Sequence, residues 1–339
     1  MTSGTETALR VIDLITGGWR AQALYTAVKL GVPDAIESGR TTSAALAEGA
    51  GADWDGVHRL MRFLVSLGLF QGDERSGYRN TELSRAFCEG PSSLKDMCLL
   101  YGEEFYTAWG HAYSAISTAT SGFEAAFGES FYSYLSRNED VAERFQNVMN
   151  AGNIFFHKVP EVVDFSGDKT VVDVGGGGGE LLAVILATVP DARGTLFDRP
   201  HMIPEARRHI AGSVGLSRVD FVAGDMFEGL PRGGDIYLFS RVFAGWDDDA
   251  IVKTLSHCYT GMKDRSSRLV ILDRLVSDED CSPMSALWDL HLLITIGGRH
   301  RSLENFTSVL GRAGFEVECT AELPSDTTAI VARKCNPDS

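Results

Sequence analysis

The chain has 339 residues, of which 44% are apolar and 23% are charged, and these values are ordinary for a globular protein of two domains. Its formal net charge of −15 disfavours binding to nucleic acid or to an anionic membrane surface. No apolar run is long enough for a membrane-spanning helix, and the amino terminus lacks the basic and then apolar pattern of a signal peptide.

The cysteines add an expectation about the compartment. They are scattered along the chain with no C-x-x-C pair, so we expect reduced thiols in a cytoplasmic protein. The six residues are Cys88, Cys98, Cys258, Cys281, Cys319 and Cys335.

The amino-terminal part predicts helices followed by a β-hairpin. Apolar residues recur at helical spacing over 9–37 and again on one face of a helix over 55–67, and a short strand over 78–81 follows a glycine-containing turn. Helix, helix and β-wing are the elements of a winged helix, a shape that DNA-binding regulators use. The second helix carries only Arg59 and Arg62 as cations, which argues against DNA binding.

Residues 92–160 predict helices that are unusually rich in aromatic side chains. Most of these rings should belong to the core, but their density also favours a flat, largely apolar small molecule as a ligand. No linker rich in proline, glycine or serine separates this part from the carboxy-terminal half, and we place the boundary at Phe165–Asp168.

The sequence VVDVGGGGGE at residues 171–180 is the most informative segment. Its apolar residues are typical of a buried parallel strand, five glycines follow directly, and an apolar helix is predicted from Glu180. A strand, a tight glycine turn and a helix bring bare backbone against a nucleotide-like ligand. A flexible linker would not stand between a buried strand and an apolar helix.

The glycine spacing distinguishes between nucleotide ligands. The dinucleotide fingerprint G-x-G-x-x-G needs a small third residue, but Glu180 or Leu181 stands there, so NAD and FAD fit poorly. A Walker P-loop is excluded because no G-K-[ST] follows. Asp198 ends the next short strand, where a ribose-binding acid is required. The glycines that satisfy G-x-G-x-G are Gly175, Gly177 and Gly179.

Strands and helices alternate after the glycine turn, as a doubly wound α/β sheet requires. The predicted strands are 170–174, 194–197, 218–222, 235–240, 268–273 and 327–333.

The segment VVDVGGGGGELLAVILATVPDARGTLFDRP resembles the S-adenosylmethionine (SAM) binding segment of the plant-type O-methyltransferase family, which includes actinobacterial enzymes of antibiotic tailoring. The resemblance continues in order through 223–227, 238–249 and 296–302, and it covers nearly the whole chain. It implies an α/β fold: a class I SAM-methyltransferase Rossmann-like sheet after a mostly helical winged-helix dimerisation domain.

The same resemblance implies how the chain is organised and what it binds. It implies a small-molecule acceptor, SAM as cofactor with S-adenosylhomocysteine (SAH) as product, and a homodimer, without nucleic acid or membrane as partner. The implied parts are a dimerisation domain over 1–90, a helical connector lining the acceptor pocket over 91–165, and the SAM-binding domain over 166–339.

The resemblance also implies site residues. Asp225 would accept the adenine amino group, Met226 would lie on the ring, and Trp246 would stack near adenine unless it only anchors its loop. The implied SAM-binding set is Asp173, Gly175, Gly177, Gly179, Asp198, Asp225, Met226, Phe227, Ser240, Arg241 and Trp246. The implied acceptor-lining set is Phe105, Trp109, Phe156, His157, Trp288, His291, Leu292 and Thr295.

The sequence departs from this family where the general base should stand. The family segment reads like L-H-D-W-D-D, whereas this chain has Ala244 in the place of the histidine and Gly245 after it. A methyl group cannot accept a proton. The two family acids that orient the histidine correspond here to Asp273 and His300.

Three explanations stay open. In the first, which we favour, the acceptor is an acidic hydroxyl, enol or carboxyl that ionises by itself, and the enzyme acts by proximity and orientation. An ordinary phenol, with a pKa of about 10, would be too weakly acidic. In the second, a relocated base acts, with His300, His291 and Asp273 as the catalytic candidates.

The third explanation is diverged chemistry: C-methylation, hydroxylation or pericyclic catalysis. His291, His300 and Asp273 could then form a two-histidine, one-carboxylate metal site, although we expect no metal. A rival from another class is a winged-helix regulator with a degenerate methyltransferase domain.

Overall fold

The computed structural model describes residues 3–90, 93–167, 169–277, 279 and 282–335. Asp168, at the predicted domain boundary, and Cys281 lie outside these residues. Within them, no helix is both long and apolar enough to cross a membrane.

The helices in chain order are α1 (Ser3–Ile15), α2 (Gly17–Lys29), α3 (Val32–Glu37), α4 (Ser43–Ala50), α5 (Trp54–Ser66), α6 (Glu82–Arg85), α7 (Lys95–Gly102), α8 (Glu104–Trp109), α9 (Ala112–Thr118), α10 (Gly122–Phe127), α11 (Phe131–Leu135), α12 (Glu139–Ala151), a 3₁₀ turn (Phe156–Lys158), α13 (Val159–Val162), α14 (Glu180–Thr188), α15 (Ile203–Ser213), α16 (Asp248–Gly261), α17 (Pro283–Ile296) and α18 (Leu303–Arg312). The strands are β1 (Phe70–Gln71), β2 (Arg79–Asn80), β3 (Thr170–Val174), β4 (Arg193–Asp198), β5 (Val219–Ala223), β6 (Ile236–Ser240), β7 (Arg268–Arg274), β8 (Phe315–Leu323) and β9 (Thr327–Lys334).

The described chain forms two compact units, and the segment predicted as a connector is divided between them. The first unit holds the residues up to Gly110 and Phe131–Ala151, and the second holds His111–Ser130 and the residues from Gly152 onward. Helices α7, α8, α11 and α12 therefore belong to the amino-terminal unit. A separate connector domain over 91–165 stays a prediction.

The first unit contains the predicted order of helix, helix and hairpin. Helix α5 begins after Asp53, whose carboxylate accepts the N–H groups of Asp55 and Gly56, and it buries Val57, Met61 and Leu64 on one face. Strands β1 and β2 then pair antiparallel. The continuous helix predicted over 9–37 is wrong, because the chain breaks after α1 and again where Gly31 adopts a φ of 68° between α2 and α3.

The second unit is built on a seven-stranded sheet in the order β5-β4-β3-β6-β7-β9-β8. Strands β3 to β7 pair in parallel, and β9 and β8 are antiparallel. All six predicted strands are confirmed to within one residue at each end. Strand β8 was not predicted: it has no continuous apolar run, and its signal is the alternation of apolar and polar residues in FEVECTAEL, which is typical of a strand with one face exposed.

The topology of this sheet creates a crevice at the carboxyl ends of its strands. Strands β4 and β5 follow β3 on one side of the sheet, and β7 follows β6 on the other side. The connections that leave the neighbouring strands β3 and β6 therefore run in opposite directions. Ligands of open α/β sheets bind at such a switch point. Apolar clusters cover both faces of the sheet, with Val171 in one and Val172 in the other.

Candidate active site

Five glycines form the whole connection between β3 and α14. Gly175, Gly177 and Gly179 have φ values of 69°, 56° and 82°, which side chains other than glycine rarely adopt. These are the three glycines of the G-x-G-x-G pattern. A Cβ on Gly179 would lie 2.8 Å from Ile210 Cδ1, whereas a Cβ on Gly177 would meet nothing within 4 Å. The turn is therefore packed against the helix layer at its end and open at its centre.

Asp198 fastens this turn to the end of β4. Its carboxylate accepts the N–H of Gly177 at 2.8 Å through Oδ2 and the N–H of Arg199 at 2.6 Å through Oδ1. Gly175 donates its N–H to Phe197 O at 2.8 Å. Each carboxylate oxygen keeps a further lone pair, so Asp198 can also accept hydroxyl hydrogen bonds beside the turn.

Two buried polar atoms at this edge have no hydrogen-bond partner among the described residues: Asp173 Oδ2 and Ser240 Oγ. Asp173 is 1% exposed, and burial raises its pKa to about 7, with further increases from the charges of Asp198 and Glu180. Unpartnered buried polar atoms are rare in proteins. Their position at the ends of β3 and β6 indicates a ligand with polar and positively charged groups.

The loop after β5 forms a second wall. Asp225 Oδ1 accepts the N–H of Phe227 at 2.9 Å, and Oδ2 lies 3.6 Å from Arg199 Nη2. The rings of Phe227 and Trp246 meet edge to face with centroids 4.7 Å apart. Trp246 keeps 37% of its surface exposed, and Met226 is half-buried. The structure thus brings the predicted adenine-side aromatic residues together.

Arg241 follows β6 in an unusual conformation. Its φ is 56°, and its guanidinium donates to Asn153 Oδ1 and lies 5.6 Å from the centroid of the Phe155 ring. Burial lowers its pKa to about 10. Left-handed backbone at a residue other than glycine is costly and concentrates at functional sites.

On the acceptor side, the structure brings two of the predicted catalytic residues together. Asp273 is the second-last residue of β7 and is 3% exposed, and its Oδ1 lies 3.6 Å from His300 Nδ1. That nitrogen is buried without a hydrogen-bond partner among the described residues. The main chain of His300 is held separately, because its N–H donates to Asp289 Oδ1 at 2.6 Å.

The third catalytic candidate, His291, is 8% exposed on α17, and burial lowers its pKa to about 4. It is therefore neutral at physiological pH and a weak base. Its ring meets the edge of Trp288 at 5.6 Å, and Thr295 donates its hydroxyl to His291 O at 2.7 Å. Thr295 is also buried and Leu292 is half-buried, but Ile294, outside the predicted face, is fully buried too, so acceptor contact along this face stays a prediction.

The alternative metal site is not assembled in the part of the chain that the structure describes. No group of three His, Cys, Asp or Glu side chains there is arranged to hold a metal ion. The structure thus does not bring His291, His300 and Asp273 together as a set of metal ligands, although His300 and Asp273 are neighbours.

The remaining lining candidates occupy mixed environments. Phe156 is 7% exposed and packs against Phe155, whereas the adjacent His157 is exposed. Phe105 and Trp109 belong to the first unit, where Phe105 packs against Phe131 with ring centroids 5.1 Å apart. Burial in the core is sufficient to explain both phenylalanines, and their contact with an acceptor stays a prediction.

Comparison with known proteins decides the family. The model of an O-methyltransferase domain matches residues 109–316, and the model of an O-methyltransferase dimerisation domain matches residues 12–90. The chain belongs to the O-methyltransferase family. This confirms the predicted family, fold class and enzyme class: a class I, SAM-dependent methyltransferase with a helical amino-terminal dimerisation domain.

Similar proteins act on small molecules. Phenazine-1-carboxylate N-methyltransferase of Pseudomonas aeruginosa is 43% identical over 332 residues, which cover 98% of this chain and 99% of that protein. 3-Amino-4-hydroxybenzoate 4-O-methyltransferase of Streptomyces cremeus is 39% identical over 327 residues, which cover 95% of this chain and 89% of that protein. The structure of human N-acetylserotonin methyltransferase in complex with SAM has a TM-score of 0.85 at 26% identity, covering 99% of this chain and 100% of that chain.

The residues of this methyltransferase fit SAM. The open centre of the glycine turn admits close approach, Asp198 has acceptor capacity for ribose, and the unpartnered Asp173 carboxyl suits the positively charged methionine end. SAM supplies a methyl group on a sulfonium centre. Asp173, Asp198 and the wall of Phe227 and Trp246 would hold it.

The structure also shows how the segment without the family base is held. Ala244 O accepts the N–H of Arg299 at 2.8 Å, and a Cβ on Gly298 would lie only 2.3 Å from Ala244 O. The loop that carries Ala244 is therefore in direct backbone contact with the segment that carries His300. Glycine is required at 298 for this approach.

Arg301 is a site residue that the sequence did not reveal. It is 1% exposed, and its guanidinium donates to Phe243 O at 3.1 Å and to Trp246 O at 2.6 Å. In the sequence it stands two residues from Arg299, whose side chain is 61% exposed. No local pattern distinguishes the two, because burial here depends on a loop more than fifty residues earlier in the chain.

Proposed function

We propose that this methyltransferase methylates a small aromatic or polyketide-like secondary metabolite at an atom that needs no enzymatic base. The observation that carries the proposal is Ala244, which stands where the family resemblance places the base histidine. In our favoured form, the acceptor is an acidic hydroxyl, enol or carboxyl that is already ionised when it meets SAM. Catalysis then rests on holding the acceptor atom in line with the sulfonium methyl group.

The residues have distinct roles in this proposal. Asp198 and Asp225 bind the ribose and adenine of SAM, and Asp173 and Ser240 bind near its methionine part. Trp288, His291 and Thr295 line the acceptor side of the second unit. None of these roles needs proton transfer, which agrees with a neutral His291 of pKa about 4.

A second acceptor type is favoured by one relative. The 43% identical protein of Pseudomonas aeruginosa is named as an N-methyltransferase acting on phenazine-1-carboxylate. An aromatic ring nitrogen attacks with a lone pair that carries no proton, so it needs no base either. A ring nitrogen, like an ionised oxygen, can therefore be methylated although Ala244 cannot act as a base.

The relocated base remains the competing mechanism, because His300 lies 3.6 Å from Asp273 and could be oriented by it. The two mechanisms predict different results for His300→Ala. Without a base, turnover of SAM with phenazine-1-carboxylate should stay within about tenfold of the unmodified enzyme, a loss below about 1.4 kcal/mol. The pH profile of kcat should also keep its midpoint.

The measurement is methyl transfer followed by mass spectrometry, with the exposed His209→Ala as the control for a histidine outside the site. A loss of about a thousandfold in His300→Ala alone would establish the relocated base and refute the base-free mechanism. Failure of the unmodified protein to bind SAM or SAH would refute methyl transfer itself.

A further inference from the structure

Arg301 is a buried arginine whose hydrogen bonds all converge on one loop. Besides the carbonyls of Phe243 and Trp246, it contacts Asp248 Oδ1, at 2.9 Å through Nε and 2.8 Å through Nη2. The three acceptors lie within residues 243–248, between the end of β6 and the first turn of α16. A single planar guanidinium thus fixes both ends of this loop.

The same loop carries the second wall of the cofactor site. Trp246 supplies the ring that meets Phe227 at 4.7 Å, and its carbonyl is the acceptor of the shortest Arg301 bond. Without the guanidinium, Trp246 O would lose this donor, whereas Phe243 O would keep the N–H of Trp246 and Asp248 Oδ1 would keep Arg299. A half-buried carbonyl that loses its donor costs free energy until it reaches water, so the loop would rearrange around Trp246. Trp246 would move with it.

Arg299 provides an internal comparison. It also contacts Asp248 Oδ1, at 3.0 Å, but its side chain is 61% exposed. Exposed ion pairs contribute little to stability or position. Lysine could not replace Arg301, because one ammonium group cannot reach three acceptors that are arranged around a rigid fork.

We propose that Arg301 is a positioning residue for the cofactor: it holds the loop over 243–248 so that Trp246 forms the wall on which adenine rests. The inference depends on the proposed function for the location of adenine beside Trp246. Arg301 itself touches neither cofactor nor acceptor in this proposal. It acts on the cofactor through the loop. Replacing Arg301 should therefore weaken cofactor binding more than replacing another buried arginine that lowers stability by the same amount.

A matched control exists in the same unit. Arg218 donates to the carbonyls of Leu186, Val189, Pro190 and Ala192, so it too joins several backbone acceptors. It precedes the amino end of β5, whereas the glycine turn follows the carboxyl end of β3. Replacing it should lower the melting temperature without moving the cofactor site.

The experiment compares Arg301→Lys, Arg218→Lys and Arg299→Ala by calorimetric titration with SAH. We expect Arg301→Lys to weaken SAH binding by about tenfold or more, and the two control variants to stay within about twofold. Hydrogen exchange of the cofactor-free proteins should show faster exchange over 243–248 in Arg301→Lys alone. Asp248→Asn is the milder variant if Arg301→Lys does not fold, with an expected loss of about threefold.

The outcomes are distinguishable. SAH binding within about twofold of the unmodified protein in Arg301→Lys, or an equal loss in Arg218→Lys, would overturn the positioning role. An unmodified protein that does not bind SAH would instead overturn the proposed function, and with it the cofactor role of Arg301.

Discussion

Asp173 shows how one residue can link the cofactor site to pH. Its carboxyl is buried, lacks a hydrogen-bond partner on Oδ2 among the described residues, and lies near the negative charges of Asp198 and Glu180. Burial is the main reason that its pKa rises to about 7. The carboxyl therefore changes charge near neutral pH, whereas an exposed aspartate would be fully ionised there.

This shift predicts opposite pH dependences for stability and for binding. Because the folded-state pKa lies above the unfolded value, its contribution to stability is complete below about pH 4 and is lost as pH rises through about 7. The cofactor-free protein should thus lose melting temperature from this group between about pH 4 and 7. SAH carries an ammonium group, so its affinity should rise over the upper part of the same range.

The measurements are thermal unfolding and SAH titration at several pH values, with Asp173→Asn as the matched variant. The asparagine variant should lose both pH dependences, since it cannot ionise. An unchanged pH profile in Asp173→Asn would show that another group is responsible.

At the scale of elements, the sequence predicted the parts whose physical signals are local. The buried strands β3, β4, β6 and β7 each contain a short apolar segment, and the G-x-G-x-G spacing is a backbone requirement that the positive φ values explain. The pairing of His300 with Asp273 and the loop contacts of Arg301 could not be predicted from the residues alone. Both join segments that are distant in the chain, and neither has a periodic or compositional signal.

The glycine turn gives a prediction that separates packing from ligand contact. In Gly179→Ala, the new methyl would be 2.8 Å from Ile210 Cδ1, so strain and overlap should lower stability by about 1–3 kcal/mol. In Gly177→Ala, the methyl would meet no protein atom within 4 Å and would enter the open space that we assign to the cofactor. We therefore expect Gly177→Ala to lose more SAH affinity and less stability.

Denaturant unfolding of the cofactor-free variants and SAH titration measure the two effects independently. If each variant lost SAH affinity only in proportion to its loss of stability, the assignment of the open centre of the turn to the cofactor would be contradicted.

At the scale of the whole molecule, α1 and the start of α2 expose large apolar side chains to solvent in the single chain. Ile12, Leu14, Ile15 and Trp19 keep 54%, 81%, 70% and 73% of their surfaces exposed in the single chain. Large contiguous apolar surfaces of this kind mark protein interfaces. Residues 12–90 match a dimerisation domain, so a homodimer that covers this surface is the assembly we propose.

The double variant Leu14→Asp, Trp19→Asp tests this assembly. Burying two added carboxylates against a second copy would cost several kcal/mol, so the dimer should dissociate while each chain stays folded. Light scattering after gel filtration measures the mass, and circular dichroism verifies folding. Tyr113→Asp is the control, because Tyr113 is 87% exposed on α9, outside the matched dimerisation domain. A double variant that stays dimeric would place the interface elsewhere, whereas a monomeric Tyr113→Asp would extend it to the second unit.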